Sequence, residues 1–174
     1  MSSVDLAIVG FGRIGRIHAD NILSMQHANL KMIVDPILDI DAGLKSRGIQ
    51  QSKNIADLFS LQKIDGVIIC SPSNYHVEQI KELSKATKNI FCEKPLGLSI
   101  KEIMEVKSLV DSKNLNLHIG FNRRFDPDFS SLKSSVASGE IGDIHMIKLI
   151  SRDCLLYTSP SPRDLSTSRM PSSA

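Results

Sequence analysis

Three glycines near the start of the chain have the spacing of a phosphate-binding loop. Gly10-Phe11-Gly12-Arg13-Ile14-Gly15 reads G-x-G-x-x-G, and it stands between a short apolar run and a helical pattern. In that setting the first glycine permits a tight turn, the second lets a ligand approach the backbone, and the third lets the helix pack close to the strand. The N–H groups at the helix start then face the phosphates. We therefore predict that residues 10–15 bind the pyrophosphate of a dinucleotide.

An acidic residue follows this loop at the distance expected for a ribose contact. Asp35 ends the apolar run at 30–34 and lies twenty residues after Gly15. Its carboxylate can accept hydrogen bonds from both hydroxyls of the adenosine ribose, and it would repel a 2′-phosphate. No Arg or Lys follows immediately to bind such a phosphate, so the sequence favours NAD over NADP. The alternative is an aspartate that only ends a strand before Pro36.

Strands and helices that could position these groups alternate along the first 120 residues. Apolar residues recur at three- and four-residue spacing at Val77, Ile80 and Leu83, and again from Ile100 through Ile103 and Val106 to Val110, as on a helix face. Ser99 and Glu102 fit a capping box at the second of these helices. The alternation predicts an α/β fold of the Rossmann type, a doubly wound parallel sheet. The predicted strands are Leu6–Val9, Leu30–Val34, Gly66–Cys70, Ile90–Cys92 and Leu115–Ile119.

The pattern changes after Gly139. Ile141–Ile150 alternates and then becomes continuously apolar, which predicts one strand of a second α/β domain without a partner strand. Tyr157–Ala174 holds six serines and three of the seven prolines, a composition typical of disorder, and LLYTSPSPRD also resembles translated sequencing-adapter sequence. We expect a dinucleotide-binding domain at 1–122, the start of a truncated substrate domain at 123–153, and a non-native tail at 154–174.

Composition narrows the class of partner. Hydrophobic residues make up 41% and charged residues 23% of the chain, and the net charge of +2 comes from mixed signs. Nothing in this balance points to nucleic acid or to a membrane. The first five residues lack the pattern of a secretion signal. Cys70, Cys92 and Cys154 lack metal-ligand spacing and suit reduced core thiols. We therefore expect a cytoplasmic protein that acts on a small molecule, without a metal site.

Polar residues also follow the later strands. The segment from Cys70 to His76 (CSPSNYH) ends one strand and opens a helix, at the sheet edge where open α/β folds bind ligands. Alternatively, Ser73 or Asn74 caps that helix and His76 is a surface residue. The glycine fingerprint also serves methyltransferases that bind adenosylmethionine, so it leaves the chemistry open.

Four motifs together resemble the glucose-fructose oxidoreductase and inositol dehydrogenase (Gfo/Idh/MocA) family. They are GFGRIGRIHA at 10–19, SPSNYH at 71–76, EKP at 93–95 and GFNRRFDP at 120–127. The resemblance covers about residues 4–153, and its last motif, with SRD at 151–153, looks closest to the inositol dehydrogenase branch. It implies a Rossmann domain followed by an α/β domain that forms the substrate face and often the oligomer interface. A homo-oligomeric NAD-dependent polyol or sugar dehydrogenase is the expected parent protein.

The resemblance also implies roles for single residues. Residues 10–15 would hold the pyrophosphate and Asp35 the ribose. Glu93 and Lys94 would lie beside the nicotinamide and its ribose, and Arg124 near the polyol. The remaining implied cofactor contacts are Ser71, Asn74 and His76, on the path of the dinucleotide, and Asn122, near the nicotinamide.

Lys94 is the candidate catalytic and substrate-binding residue. A lysine at the end of a strand, fixed by the following proline, can donate a hydrogen bond to a developing alkoxide or carbonyl oxygen. An ordinary solvated lysine is the alternative. Likewise, the Arg123 and Arg124 pair could be ion-pair partners of Asp126 and Asp128.

One part of the family pattern has no counterpart in this sequence. Family members carry an Asp and a His a few residues apart on a helix of the second domain, where the His takes the hydroxyl proton as hydride leaves the carbon. Nothing after Asp153 matches that pair. We expect a chain that binds NAD but cannot oxidise a polyol alone; the alternative is a noncatalytic dinucleotide-binding module.

Overall fold

A computed structural model describes residues 3–61 and 63–150, and the chain divides into two compact units, one up to Arg124 and one from Phe125. The first unit contains six strands: β1 (Val4–Val9), β2 (Ala28–Val34), β3 (Gln50–Ser52), β4 (Gly66–Ile69), β5 (Asn89–Cys92) and β6 (Asn116–Ile119). They form one parallel sheet in the order β3-β2-β1-β4-β5-β6. This confirms the doubly wound Rossmann-type fold.

Helices cover both faces of the sheet. Helices α1 (Arg13–Ser24) and α2 (Ala42–Ser46) belong to one face, with a core that includes Ile8 and Ile33. Helices α3 (His76–Leu83) and α4 (Ile100–Lys113) belong to the other, with a core that includes Ile69. Because the central strands are buried on both sides, they are almost continuously apolar in sequence. Short 3₁₀ turns span Ile55–Ser60, Ser73–Tyr75 and Asn122–Phe125.

Local sequence signals identified most of these elements. The capping box is present: Ser99 Oγ accepts from the Glu102 N–H, and Glu102 Oε2 accepts from the Ser99 N–H. On α4, Val106 is buried and Val110 half-buried, but Ile100, predicted to face the sheet, is 80% exposed at the first residue of the helix. Strand β3 and helix α2 were missed, because a three-residue Gln-Gln-Ser strand and a five-residue helix carry too little periodicity.

The second unit begins with helix α5 (Pro127–Ala137). Asp126 caps it by accepting from the N–H groups of Asp128 and Phe129. Residues 144–150 have no regular secondary structure, so the predicted strand at Ile141–Ile150 is wrong. A strand exists only where a neighbour satisfies its backbone groups, and the described part of the chain offers none here. The predicted tail at 154–174 lies outside the described residues. Among the helices described, none has the length and apolar character to cross a membrane.

Candidate cofactor site

The turn between β1 and α1 needs glycine at two positions and leaves open space at a third. Gly10 has φ +92°, and a Cβ there would lie 2.5 Å from the Ser71 nitrogen. A Cβ on Gly15 would lie 2.1 Å from the carbonyl oxygen of Gly10. At Gly12, by contrast, an added Cβ would meet nothing within 4 Å. The first and third glycines therefore permit the fold itself, while the second leaves its backbone open to a ligand, as a bound pyrophosphate requires.

A cavity of about 760 Å³ lies at the carboxyl ends of β1 to β4. The strand order reverses there, between β1 and β4, which is where open α/β sheets bind ligands. Of the predicted residues, six line the cavity: Gly10, Gly12, Arg13, Ile14, Asp35 and Ser71. Phe11 is buried in the core and Gly15 within α1. Sequence reasoning missed other lining residues, among them Ile37, Lys53, Asn54, Tyr75 and Gln79. Lys53 and Asn54 follow β3, and the strand itself gave no sequence signal.

Asp35 is 8% exposed, and backbone groups already occupy much of its carboxylate. Oδ2 accepts from the Phe11 N–H at 2.7 Å, and Oδ1 accepts from the N–H groups of Ile37 and Leu38 at 2.9 and 2.7 Å. Burial by itself would raise the pKa of Asp35. The three backbone hydrogen bonds and the charge of Arg16 outweigh burial and hold the pKa below its ordinary 3.8.

The occupied carboxylate limits what Asp35 can do for a ligand. A carboxylate has about four acceptor positions, and backbone donors fill three of them. One position, on Oδ2, has no backbone donor among these bonds, and the predicted contact with the ribose hydroxyls stays a prediction. Asp35 thus directly follows β2, holds the next turn, and keeps a negative charge at the cavity wall.

His76 is 1% exposed, so the alternative of a surface residue is wrong. Its Nδ1 lies 2.7 Å from the Pro95 carbonyl oxygen and its Nε2 lies 2.8 Å from that of Ser71. The ring therefore ties the segment after β4 to the segment after β5. It is not among the residues that line the cavity.

Of the other predicted residues after β4, Ser71 lines the cavity and Asn74 does not. The Ser71 hydroxyl donates to Gln79 Oε1 at 2.5 Å, which holds Ser71 against α3. Asn74 is exposed and does not line the cavity. Neither Ser73 nor Asn74 caps α3, since its N-cap is Tyr75, without a side-chain hydrogen bond.

Glu93 and Lys94 follow β5, and Asn122 and Arg124 lie in the 3₁₀ turn after β6. All four stand at the carboxyl edge of the sheet, but none lines the cavity. Lys94, Asn122 and Arg124 are exposed, while Glu93 is half-buried. The Arg124 guanidinium lies 5.9 Å from the centre of the Phe121 ring. Of the fourteen predicted residues, six thus line the cavity, and these four stand at the same edge of the sheet without lining it.

His18 is a polar residue that sequence reasoning passed over. Its Nε2 lies 2.9 Å from Glu93 Oε1. The only local signal was its position in GFGRIGRIHA, three residues after Gly15.

Two thiols lie at this edge of the sheet: Cys70 lines the cavity, and Cys92 is buried at the end of β5. Burial raises the pKa of both Cys70 and Cys92 to about 12, and the negative charge of Glu93 contributes to each. Both are free thiols and stay uncharged near neutral pH, and a protonated thiol is a poor nucleophile. This agrees with core thiols; Cys154 lies outside the described residues.

A doubly wound sheet with a glycine turn and an acidic residue at its switch point defines a nucleotide-binding Rossmann domain. The chain belongs to the oxidoreductase family with an NAD-binding Rossmann fold (GFO_IDH_MocA), whose model matches residues 4–121. Family membership excludes the methyltransferase alternative.

Relatives and solved structures agree with this family. YrbE, an uncharacterised oxidoreductase of Bacillus subtilis, is 41% identical over 148 residues, 84% of this chain and 43% of YrbE. Myo-inositol 2-dehydrogenase of Thermotoga maritima is 35% identical over 161 residues, 91% of this chain and 47% of the relative. The crystal structure of scyllo-inositol dehydrogenase from Lactobacillus casei, with bound NAD(H) and scyllo-inositol, matches with TM-score 0.75 and 36% identity over 82% of this chain and 43% of that one. The chain spans less than half the length of these relatives.

Proposed function

We propose that this chain is the cofactor-binding part of an NAD-dependent dehydrogenase that oxidises a secondary alcohol of a polyol or sugar, similar to inositol 2-dehydrogenases. The observation that carries the proposal is the glycine turn at the strand switch point, with open space in front of Gly12 and the Asp35 carboxylate on the wall of the same cavity. The relatives that are named as inositol dehydrogenases support the substrate class.

In this proposal the cavity residues bind and orient the dinucleotide. The N–H groups at the start of α1, near Gly12 and Arg13, donate to the pyrophosphate. The Asp35 carboxylate accepts a hydrogen bond from a ribose hydroxyl and repels a 2′-phosphate, which favours NAD over NADP. Lys53, which sequence reasoning did not assign to the site, lines the same cavity. The proposed preference for NAD therefore requires that the Asp35 carboxylate repel a 2′-phosphate more strongly than Lys53 attracts it.

The residues beside the cavity act on the substrate end. A nicotinamide dinucleotide bound in the cavity would supply the acceptor for hydride from the alcohol carbon. Lys94 donates a hydrogen bond to the substrate oxygen, where negative charge develops. Arg124 contacts the polyol, and Glu93 and Asn122 border the nicotinamide. We assign His76 to holding the segments of Ser71 and Pro95 together, because both ring nitrogens are engaged by carbonyl oxygens.

We further infer that the base for the hydroxyl proton is not in this sequence, so the chain binds a dinucleotide without turning over a polyol. We also propose domain boundaries at 1–122 and 123–153, a homo-oligomeric parent protein and a cytoplasmic location. The free thiols of Cys70 and Cys92 suit a reducing compartment,.

Fluorescence titration of the purified chain with NADH and with NADPH tests the cofactor proposal. We expect saturable binding of NADH, weaker binding of NADPH, and no NADH production from NAD and myo-inositol. Failure to bind NADH would contradict the cofactor assignment, and equal affinities would contradict the NAD preference. Inositol-dependent NADH production would show that the chain contains a base we have not assigned.

The native transcript beyond the codon of Asp153 tests the enzyme proposal separately. An Asp and a His a few residues apart on a predicted helix would support a dehydrogenase. A native continuation without such a pair would favour the noncatalytic dinucleotide-binding module.

A further inference from the structure

We propose that His18 is a positioning residue that orients Glu93 and thereby joins the two ends of the dinucleotide site. This inference rests on the proposed cofactor function. His18 lies in the second turn of α1, the helix that begins at the glycine turn, and Glu93 directly follows β5 beside Lys94. The two residues are 75 positions apart in sequence.

The contact has a defined donor and acceptor. The Nε2–H of His18 donates to Glu93 Oε1 at 2.9 Å, because an ionised carboxylate can only accept. Both side chains are 22% exposed, so solvent reaches the pair only in part. The His18 ring meets the Phe91 ring edge to face, with 5.3 Å between centroids. Packing therefore fixes the plane of the ring that makes the hydrogen bond.

The rest of the Glu93 carboxylate is also confined. Its Oε2 accepts from the Lys94 N–H at 3.3 Å. A Cβ on Gly120 would lie 3.1 Å from the same oxygen, so the carboxylate lies close to the segment after β6. The carboxylate is thus held by α1 and by the backbone of the next residue.

This arrangement links two parts of the site that a dinucleotide must reach together. In the proposed function the start of α1 would face the pyrophosphate, whereas Glu93 and Lys94 would border the nicotinamide half. Without the His18 hydrogen bond, the Glu93 side chain gains rotamers and its carboxylate is no longer fixed beside Lys94. The loss should affect ligands that extend to the nicotinamide half and spare those that end at the pyrophosphate.

A set of three variants of the full chain tests the proposal. His18→Phe keeps a ring against Phe91 but removes the donor, and His18→Gln keeps an N–H donor. His118→Phe is the matched control, because His118 stacks on the same Phe91 ring with centroids 6.5 Å apart. Calorimetric titration with NADH, and with ADP, which ends at the pyrophosphate, gives two affinities for each variant, and thermal unfolding monitors the fold.

We expect His18→Phe to weaken NADH binding about tenfold, the order expected for one hydrogen bond to a charged group, and to change ADP binding less than about twofold. His18→Gln should recover most of the NADH affinity, and His118→Phe should bind both ligands like the unmodified chain. Equal losses of NADH and ADP affinity in His18→Phe, or no loss of either, would overturn the positioning role. If the unmodified chain does not bind NADH, the cofactor proposal itself fails, which is a distinguishable result.

Discussion

Asp35 combines a structural role with its predicted role toward the cofactor. Three backbone N–H groups depend on its carboxylate, from the glycine turn and from the turn after β2. Asp35→Ser should therefore lower the free energy of unfolding by about 1–3 kcal/mol, besides weakening NADH binding and reducing discrimination against NADPH. Urea unfolding and the two titrations measure these effects. Unchanged stability would show that the backbone groups find other acceptors.

The lowered pKa of Asp35 also predicts a pH dependence. The unfolded chain takes up a proton near pH 3.8, the ordinary pKa of aspartate, whereas the folded chain does so at a lower pH. The stabilisation by ionised Asp35 is thus complete above about pH 5 and is lost as the pH falls through the folded pKa. In Asp35→Asn this component of the acid-induced loss should be absent. Urea unfolding of both proteins from pH 6 to pH 3 compares the slopes, and identical slopes would contradict the assignment.

In the β1–turn–α1 element, two glycines are required by the fold and one is required by the proposed ligand. Gly15→Ala places a Cβ against the Gly10 carbonyl and should destabilise the chain by about 1–3 kcal/mol, as overpacking does. Gly12→Ala is the matched change: its Cβ has room, so we expect a cost within about 1 kcal/mol at this N-cap position but a clear loss of NADH affinity. Thermal unfolding and NADH titration distinguish the two. Normal NADH binding by Gly12→Ala would show that no phosphate approaches this backbone.

At the scale of the whole molecule, the candidate cavity is confined to the first compact unit. Its lining residues lie between Val9 and Glu82, and that unit ends at Arg124. A chain cut after Asp153 should therefore keep the melting temperature and the NADH affinity of the full chain. A large decrease in either would show that residues 154–174 contribute to folding or binding.

Local patterns in the sequence were enough to predict the fold class and the centre of the site. Apolar runs and helical spacing depend on residues a few positions apart, so five of the six strands, the capping box at Ser99 and the helix after the glycine turn could be predicted. The same holds for Asp35, whose distance from Gly15 is fixed by the length of one helix and one strand. Strand β3 was missed because its pairing with β2, rather than its own residues, makes it a strand.

The tertiary structure decided what each of these residues can still do. From the sequence we predicted that Asp35 binds two ribose hydroxyls; the structure adds that the N–H groups of Phe11, Ile37 and Leu38 already donate to its carboxylate. The sequence left open whether His76 contacts a ligand or lies on the surface. In the structure His76 is buried, and each ring nitrogen lies next to a carbonyl oxygen. Nothing in the sequence indicated that His18 meets Glu93. Local patterns predicted five of the six strands and their order along the chain. Hydrogen-bond partners far apart in the chain were set only when the sheet brought its strand ends to one edge.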